Sequence, residues 1–396
     1  MQETQSDGRA ARGFWSGPWP MVASFIPGTL QMWLLFPTTS LLLAQRGISP
    51  TAIGIFSALP WGVVLLVMPI LPRLIARLGV VPTYRASLLL ALLTVLGFYL
   101  TDSTILWFCL NAAFGIALSL RWLIADSWVA ATPAEHERGR VIGVYETLLG
   151  GAIAGGPLLL SLLGTEHGLP FLVSLGLLGV AFLIALPMRN RALAGATGEK
   201  PSTIVATARR HPSLLLAVLL CGICESAVVS IFPVYGLAVG FDAAGAALLV
   251  TLIGVGTILG QLPLGLFADR FDARKLTFVC AALVAAGLLL AVPLDPLGDL
   301  VWVLRVPFGA AFGGLYTLAM VQAGQRFHGS EMLHAMAAVT ATYTLGGMVG
   351  PAVAGPAFDA FGPDGLLISM GLLALAVTAA LGLDLRRPDP PALRPA

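Results

Sequence analysis

Four charged residues, Arg121, Asp126, Glu146 and Glu225, stand inside runs of otherwise apolar residues. An ionisable side chain is costly in a bilayer, so a chain that keeps one there uses it for packing, gating or ion movement. Glu225 lies near the middle of its run, and the nearest basic residues in sequence, Arg209 and Arg210, sit before the run begins. A carboxyl so placed could exchange protons or bind a cationic solute; the structural alternative is a neutral Glu hydrogen-bonded to a neighbouring helix. Arg121 is about two-thirds of the way along its run and must pair or line water. Asp126 and Glu146 are its candidate counter-charges, and the three, with Arg138 and Arg140 at the rim, could equally brace two helices.

The elements that position these groups follow from composition. Hydrophobic residues make up 57% of the 396 and charged residues 11%, against about 25% charged in soluble domains. Only helices or closed barrels satisfy the backbone in lipid, and the apolar runs are continuous rather than alternating. The expected fold class is therefore an all-α integral membrane protein. Twelve spans are expected, the first six near Pro18–Leu43, Thr51–Leu71, Ala86–Thr101, Thr104–Ala130, Val141–Leu163 and Leu169–Met188. The second six lie near Ser213–Gly236, Ala244–Leu266, Leu276–Pro293, Leu300–Gln322, Ala335–Phe358 and Leu366–Leu383. The first span follows a charged tail and is too long for a cleavable signal.

With both termini inside, every Lys and Arg falls on the cytoplasmic side except Arg46, Arg121 and Arg305, while the opposite loops carry Asp102, Glu166, Asp242, Asp295, Asp299, Asp359 and Asp364. The positive-inside rule thus expects cytoplasmic N and C termini, and the acidic outer loops point to a bacterial inner membrane. Basic groups scattered over short loops give no nucleic-acid face. Cys109, Cys221, Cys224 and Cys280 all lie within apolar spans, and most of them read as small buried hydrophobes.

The two halves repeat at an offset of 194 residues: Pro18 matches Pro212, Gln31 matches Glu225, and Phe114-Gly115 matches Phe308-Gly309. Ala152-x-x-x-Gly156-Pro157 likewise matches Gly346-x-x-x-Gly350-Pro351. Matches in several spans at one offset indicate duplication, an arrangement seen in transporters that rock around a central site. The expected organisation is a tail 1–17, a six-helix bundle 18–188, a cytoplasmic linker 189–211, a second bundle 212–385 and a tail 386–396. Small residues four apart allow close helix approach, so Gly156, Pro157, Gly350 and Pro351 are packing candidates.

After the eighth span the chain runs Gly265-Leu-Phe-Ala-Asp269-Arg270-Phe-Asp-Ala-Arg274-Lys275. This resembles the loop signature of the major facilitator superfamily, with Asp272 and Ala273 in place of a glycine and an arginine. The equivalent stretch after the second span, Pro69–Gly79, keeps cations but lacks the glycine and aspartate. With the twelve spans and the duplication, the resemblance covers essentially the whole chain. It implies the major facilitator fold, two pseudo-symmetric six-helix bundles, and secondary transport of a small solute by alternating access. It also implies a cytoplasmic gate latch at Gly265, Asp269, Arg270 and Arg274, and a cavity lined by the first, fourth, seventh and tenth spans.

On that reading Glu225 carries a proton, with Gln31 beside it, and Arg121 senses the change or holds an anionic group. Trp33, Trp122 and Tyr316 are cavity-aromatic candidates, although core packing accounts better for any single one. Trp15, Trp19, Trp107 and Trp302, near span ends, read as an interfacial belt. The partial glycine-proline element in the fifth span resembles an exporter signature, which favours an antiporter expelling amphipathic compounds. Proton-coupled uptake of an organic anion is the alternative, and full pairing of Arg121 by Asp126 and Glu146 would favour the exporter. A transporter-shaped receptor is a third possibility. No phosphate-binding loop or nucleophile motif is present, so neither an ATP-driven pump nor an enzyme is expected. Cys221, Cys224 and Met320 are too sparse a set for a metal; no metal or cofactor is expected. Expected partners are the solute, protons and lipid, with the chain monomeric.

Overall fold

The structure, a computed structural model, describes residues 15, 17–133, 137–189, 211–327 and 330–386, so most of the linker and both expected tails lie outside it apart from a few residues at their edges. Among the described residues the secondary structure is helical throughout. The helices α1 to α7 are Pro18–Gln45, Pro50–Val67, Leu71–Leu78, Val80–Leu100, Thr104–Ala131, Arg138–Leu163 and Leu169–Ala185. The helices α8 to α13 are Pro212–Ser230, Phe232–Ala238, Ala243–Ala268, Ala273–Ala291, Asp299–Arg326 and Ser330–Leu385. Nine of these are long and apolar enough to cross a bilayer. The 28-residue α1 carries no charged side chain, and the 17-residue α7 is apolar but shorter. At 56 residues α13 is far too long for one crossing. It breaks at Gly362, whose φ of 71° only glycine adopts freely, immediately before Pro363, and so provides the last two spans.

Several helix starts are set locally. The Asp242 carboxylate accepts from Gly245 N at 2.7 Å to cap α10, and Asp272 accepts from Arg274 N at 2.8 Å to cap α11. The seventh span is interrupted between α8 and α9 at Ile231, because Pro233 has no N–H to continue the ladder. Three expectations are corrected here. The stretch after the second span is a helix, α3, with Leu71, Leu74, Ile75 and Leu78 at helical spacing between Arg73 and Arg77. The third span begins at Val80 rather than Ala86, which takes Arg85 into α4. Arg85 then caps the end of α7: Nε donates to the Ala185 carbonyl at 3.0 Å, and Nη2 donates to Leu186 and Met188 carbonyls at 2.7 Å each. A cation at a helix C-terminus answers carbonyls that have no partner within the helix. Trp107 is also no belt residue; it is fully buried, packs edge-on to Phe98 and Phe171, and donates to the Thr101 carbonyl at 2.8 Å.

The chain forms two compact units. One comprises Met1–Leu35, Val63–Leu159 and Leu163–Gly198; the other comprises Phe36–Gly62, Leu160–Leu162 and Glu199–Ala396. Each contains one copy of the glycine-proline element, and the two copies do the same work. In the first unit, a Cβ on Gly156 of α6 would lie 2.6 Å from Leu34 N of α1. In the second, a Cβ on Gly350 of α13 would lie 2.6 Å from Ser226 Oγ of α8 and closer still to the Ile223 carbonyl. Backbone meets backbone at both places, which is what small residues permit between helices in lipid. Gly265 is different: a Cβ there would meet only Thr317 Cγ2 at 4.0 Å, so close packing does not require it.

Gly156→Ala and Gly350→Ala should therefore each cost about 1–3 kcal/mol of stability by overpacking, read as lowered thermal midpoints in detergent. Gly143→Ala on α6, where a Cβ meets nothing within 4 Å, should leave the midpoint unchanged or slightly raised. Equal behaviour of all three variants would contradict the packing account.

Candidate functional site

Each unit holds a cluster of polar groups in an apolar setting. In the second unit Glu225 projects from α8, and two neutral donors hold its carboxyl. The Cys221 thiol, one turn earlier on the same helix, donates to Oε2 at 3.9 Å. The Tyr343 hydroxyl, from α13, supplies the other hydrogen bond. Close helix approach puts Tyr343 there, since a Cβ on Gly222 of α8 would run into the Tyr343 carbonyl. The Tyr343 ring is set edge-on to Trp61 at 5.9 Å and to Tyr316 at 6.0 Å between centroids. No described cation pairs with Glu225; its hydrogen-bond partners are a thiol and a phenol hydroxyl. Cys224 is buried beside it. Among the described residues no group of three or more His, Cys, Asp or Glu could hold a metal ion.

In the first unit the charged residues divide differently from expectation. Arg121, on α5, is 1% exposed, and its Nε and Nη1 are buried with no hydrogen-bond partner. The guanidinium lies against Gly28 of α1, where an added Cβ would come within 3.1 Å of Nη1. Its electrostatic neighbour is Tyr84 of α4, whose hydroxyl is 3.0 Å from Ser24 Oγ. Ser24, Gly28 and Gln31 recur at helical spacing on one face of α1. Gln31 is fully buried, and neither its amide oxygen nor its nitrogen has a partner.

Asp126 and Glu146 do not pair with Arg121. Five positions apart on a helix, Arg121 and Asp126 point about 140° away from one another. Asp126 instead accepts from the Tyr145 hydroxyl at 2.7 Å and from Trp122, one turn back. Glu146 is exposed on α6, and its charged neighbour is Asp126. Trp122 packs edge-on to Phe25 at 5.5 Å. Trp33 is buried, with its indole N–H unpartnered.

Of the signature residues, Asp269 and Arg270 are exposed at the end of α10. Arg274 is buried and paired: Nη2 lies 3.1 Å from Asp384 Oδ2 and also donates to the Asp384 carbonyl, tying the start of α11 to the end of α13. Tyr343, Tyr84, Tyr145 and Asp384 were not singled out from the sequence. A tyrosine inside an apolar span is the one signal that could have marked the first three.

Buried polar clusters within duplicated, glycine-packed helical units define a multi-pass membrane transporter. The family model described as Major Facilitator Superfamily matches residues 21–250 and, overlapping, 214–396. The chain belongs to that superfamily, and it is a transporter of small solutes, not an enzyme. It is 24% identical over 367 residues to the protein called uncharacterized MFS-type transporter YfkF of Bacillus subtilis (strain 168), covering 88% of this chain and 90% of that one. It is also 24% identical over 328 residues to the MFS-type transporter YcaD of Salmonella arizonae, covering 82% and 84%. Among solved structures, the nucleoside transporter NupG superposes with a TM-score of 0.75 at 13% identity, covering 94% of this chain and 99% of that one. A bacterial homologue of the human lysosomal transporter Spinster, inward-facing and unoccupied, gives 0.72 at 15% identity, covering 92% and 95%. These two likenesses are of fold.

A buried guanidinium with unsatisfied donors lowers stability. Arg121→Met, which keeps an unbranched apolar stem and removes the charge, should raise the thermal stability by about 1–3 kcal/mol and abolish transport. A strongly destabilised Arg121→Met protein would instead make the guanidinium a structural brace.

Proposed function

We propose that the protein is a proton-coupled secondary transporter working by alternating access, with Glu225 as the coupling carboxyl. The observation that carries this reading is the pair of partners around Glu225. A hydroxyl and a thiol can each donate to a carboxylate or accept from a carboxylic acid, so the site accommodates either protonation state without a cation to fix one. Tyr343 orients the carboxyl. Asp269 and Arg270 act as the gate latch, with Arg274 committed to Asp384 beside them. The termini are cytoplasmic, the membrane is a bacterial inner membrane, and the working unit is a monomer.

For the cargo, the unpaired Arg121 bears on the choice between export of amphipathic compounds and uptake of an organic anion. Pairing by Asp126 and Glu146 would have favoured the exporter, and that pairing is absent. A buried guanidinium with open donors beside the unsatisfied Gln31 amide supports an anionic group on the cargo. Uptake of an organic anion with a proton is accordingly the preferred reading, and efflux by antiport is the competing one.

Proton flux in proteoliposomes under an imposed pH gradient tests both. Organic acids should collapse the gradient in the wild-type protein, and Glu225→Gln should abolish the effect while leaving the thermal midpoint within a few degrees. Tyr343→Phe should slow the flux about ten-fold, the loss of one hydrogen bond to a charged group. Collapse by lipophilic cations alone would restore the exporter. Unchanged coupling in Glu225→Gln would remove Glu225 from the mechanism, and binding of solutes with no flux at all would favour a receptor.

A further inference from the structure

A second site lies in the helices of the second unit, away from Glu225. A cavity of about 300 Å³ is enclosed by α9, α10, α11, α12 and α13, with Tyr235, Leu283, Gly287, Leu290, Leu304 and Phe308 among its walls. Its lining is almost wholly apolar, and three of its residues, Leu283, Leu290 and Leu304, are exposed on the lipid-facing surface. The cavity therefore opens between α11 and α12 towards the hydrocarbon of the membrane.

One cation stands in this apolar space. Arg305 lines the cavity, is 6% exposed, and its Nη1 is buried without a hydrogen-bond partner. Six residues in from the start of α12 at Asp299, it lies roughly 9 Å below the helix end. An arginine at that depth ordinarily snorkels to the polar boundary. The Arg305 guanidinium is directed back towards the helix start, 4.7 Å over the Trp302 ring, yet stays buried. Its electrostatic neighbour is the Tyr235 hydroxyl. Asp364, which acts on Tyr235, is exposed and makes no ion pair with Arg305.

A buried cation with an open donor, at the head of an apolar slot that is open to lipid, complements an amphiphile with one anionic end. The volume is at the low end for ligand sites, enough for one alkyl chain and not for the two chains of a bilayer phospholipid. We propose that this cavity binds the anion of a long-chain fatty acid, with the carboxylate on Arg305 Nη1 and the chain laid between α11 and α12. The bond is a charge-assisted one in a water-poor setting, where such bonds are strongest. The site lies outside the Glu225 cluster and does not depend on the coupling reading.

The test is photolabelling of the purified full-length protein with a diazirine analogue of palmitate, followed by peptide mapping. Labels should concentrate in Ala273–Ala291 and Asp299–Arg326. Oleate should compete about ten-fold better than oleyl alcohol, reflecting the charged hydrogen bond. Arg305→Gln should erase that preference. Ala286→Phe, a substitution at an exposed cavity-lining position, should abolish the concentrated labelling even where Arg305→Gln cannot be purified. Labels spread evenly over lipid-facing helices, or unaffected by Ala286→Phe, would overturn the site. Equal competition by oleyl alcohol would overturn recognition of the carboxylate, and equal competition by phosphatidylglycerol would overturn the fatty-acid assignment in favour of a phospholipid.

Discussion

A helix in lipid satisfies its own backbone and nothing more, so every polar side chain it carries must be answered by another helix, by its own preceding turn or not at all. The described residues of this protein show all three outcomes. Arg85 and Arg274 are answered by helix ends and, for Arg274, by a carboxylate. Asp126 and Glu225 are answered by hydroxyl, indole and thiol donors, part of them from one turn away. Arg121 and Arg305 each keep a buried donor unanswered. The sorting separates groups that hold the fold from groups held in reserve, and it does so without reference to any relative.

The answering groups reach one another because the helices approach closely. Glycines at Gly156 and Gly350 bring α6 onto α1 and α13 onto α8 through backbone rather than side-chain contact. The matched glycine-proline elements thus make the same kind of contact in each unit. The contact in the second unit carries Gly222 against Tyr343 and so sets the distance from hydroxyl to carboxyl. Packing and chemistry depend on the same few positions there.

The crossings were legible because each is a long apolar run, and hydrophobic length is the strongest signal a membrane chain has. The amphipathic α3 was not, since two arginines in eight residues read as a loop when only apolar runs are sought. The partners of the buried charges were not legible either. Arg121 and Asp126 are neighbours in sequence yet diverge around the helix, whereas Tyr343 is remote from Glu225 in sequence and adjoins it in space. Arg305 reads from sequence as one more basic residue within a span; only its burial and the cavity it lines distinguish it. Sequence locates costly groups, and tertiary contacts decide which of them are compensated.

Two carboxylates of the second unit, Asp384 and Glu225, are compensated in different ways. Asp384 faces the Arg274 guanidinium, and neutralising it would strand a buried cation. That pair is therefore committed to its charges, and its value is in tying α11 to α13. Glu225 faces Tyr343 and Cys221, which can exchange the roles of donor and acceptor as a proton arrives or leaves. No buried charge is orphaned among the described residues by either state of Glu225. Of these two carboxylates only Glu225 has partners that can answer both its charged and its neutral form.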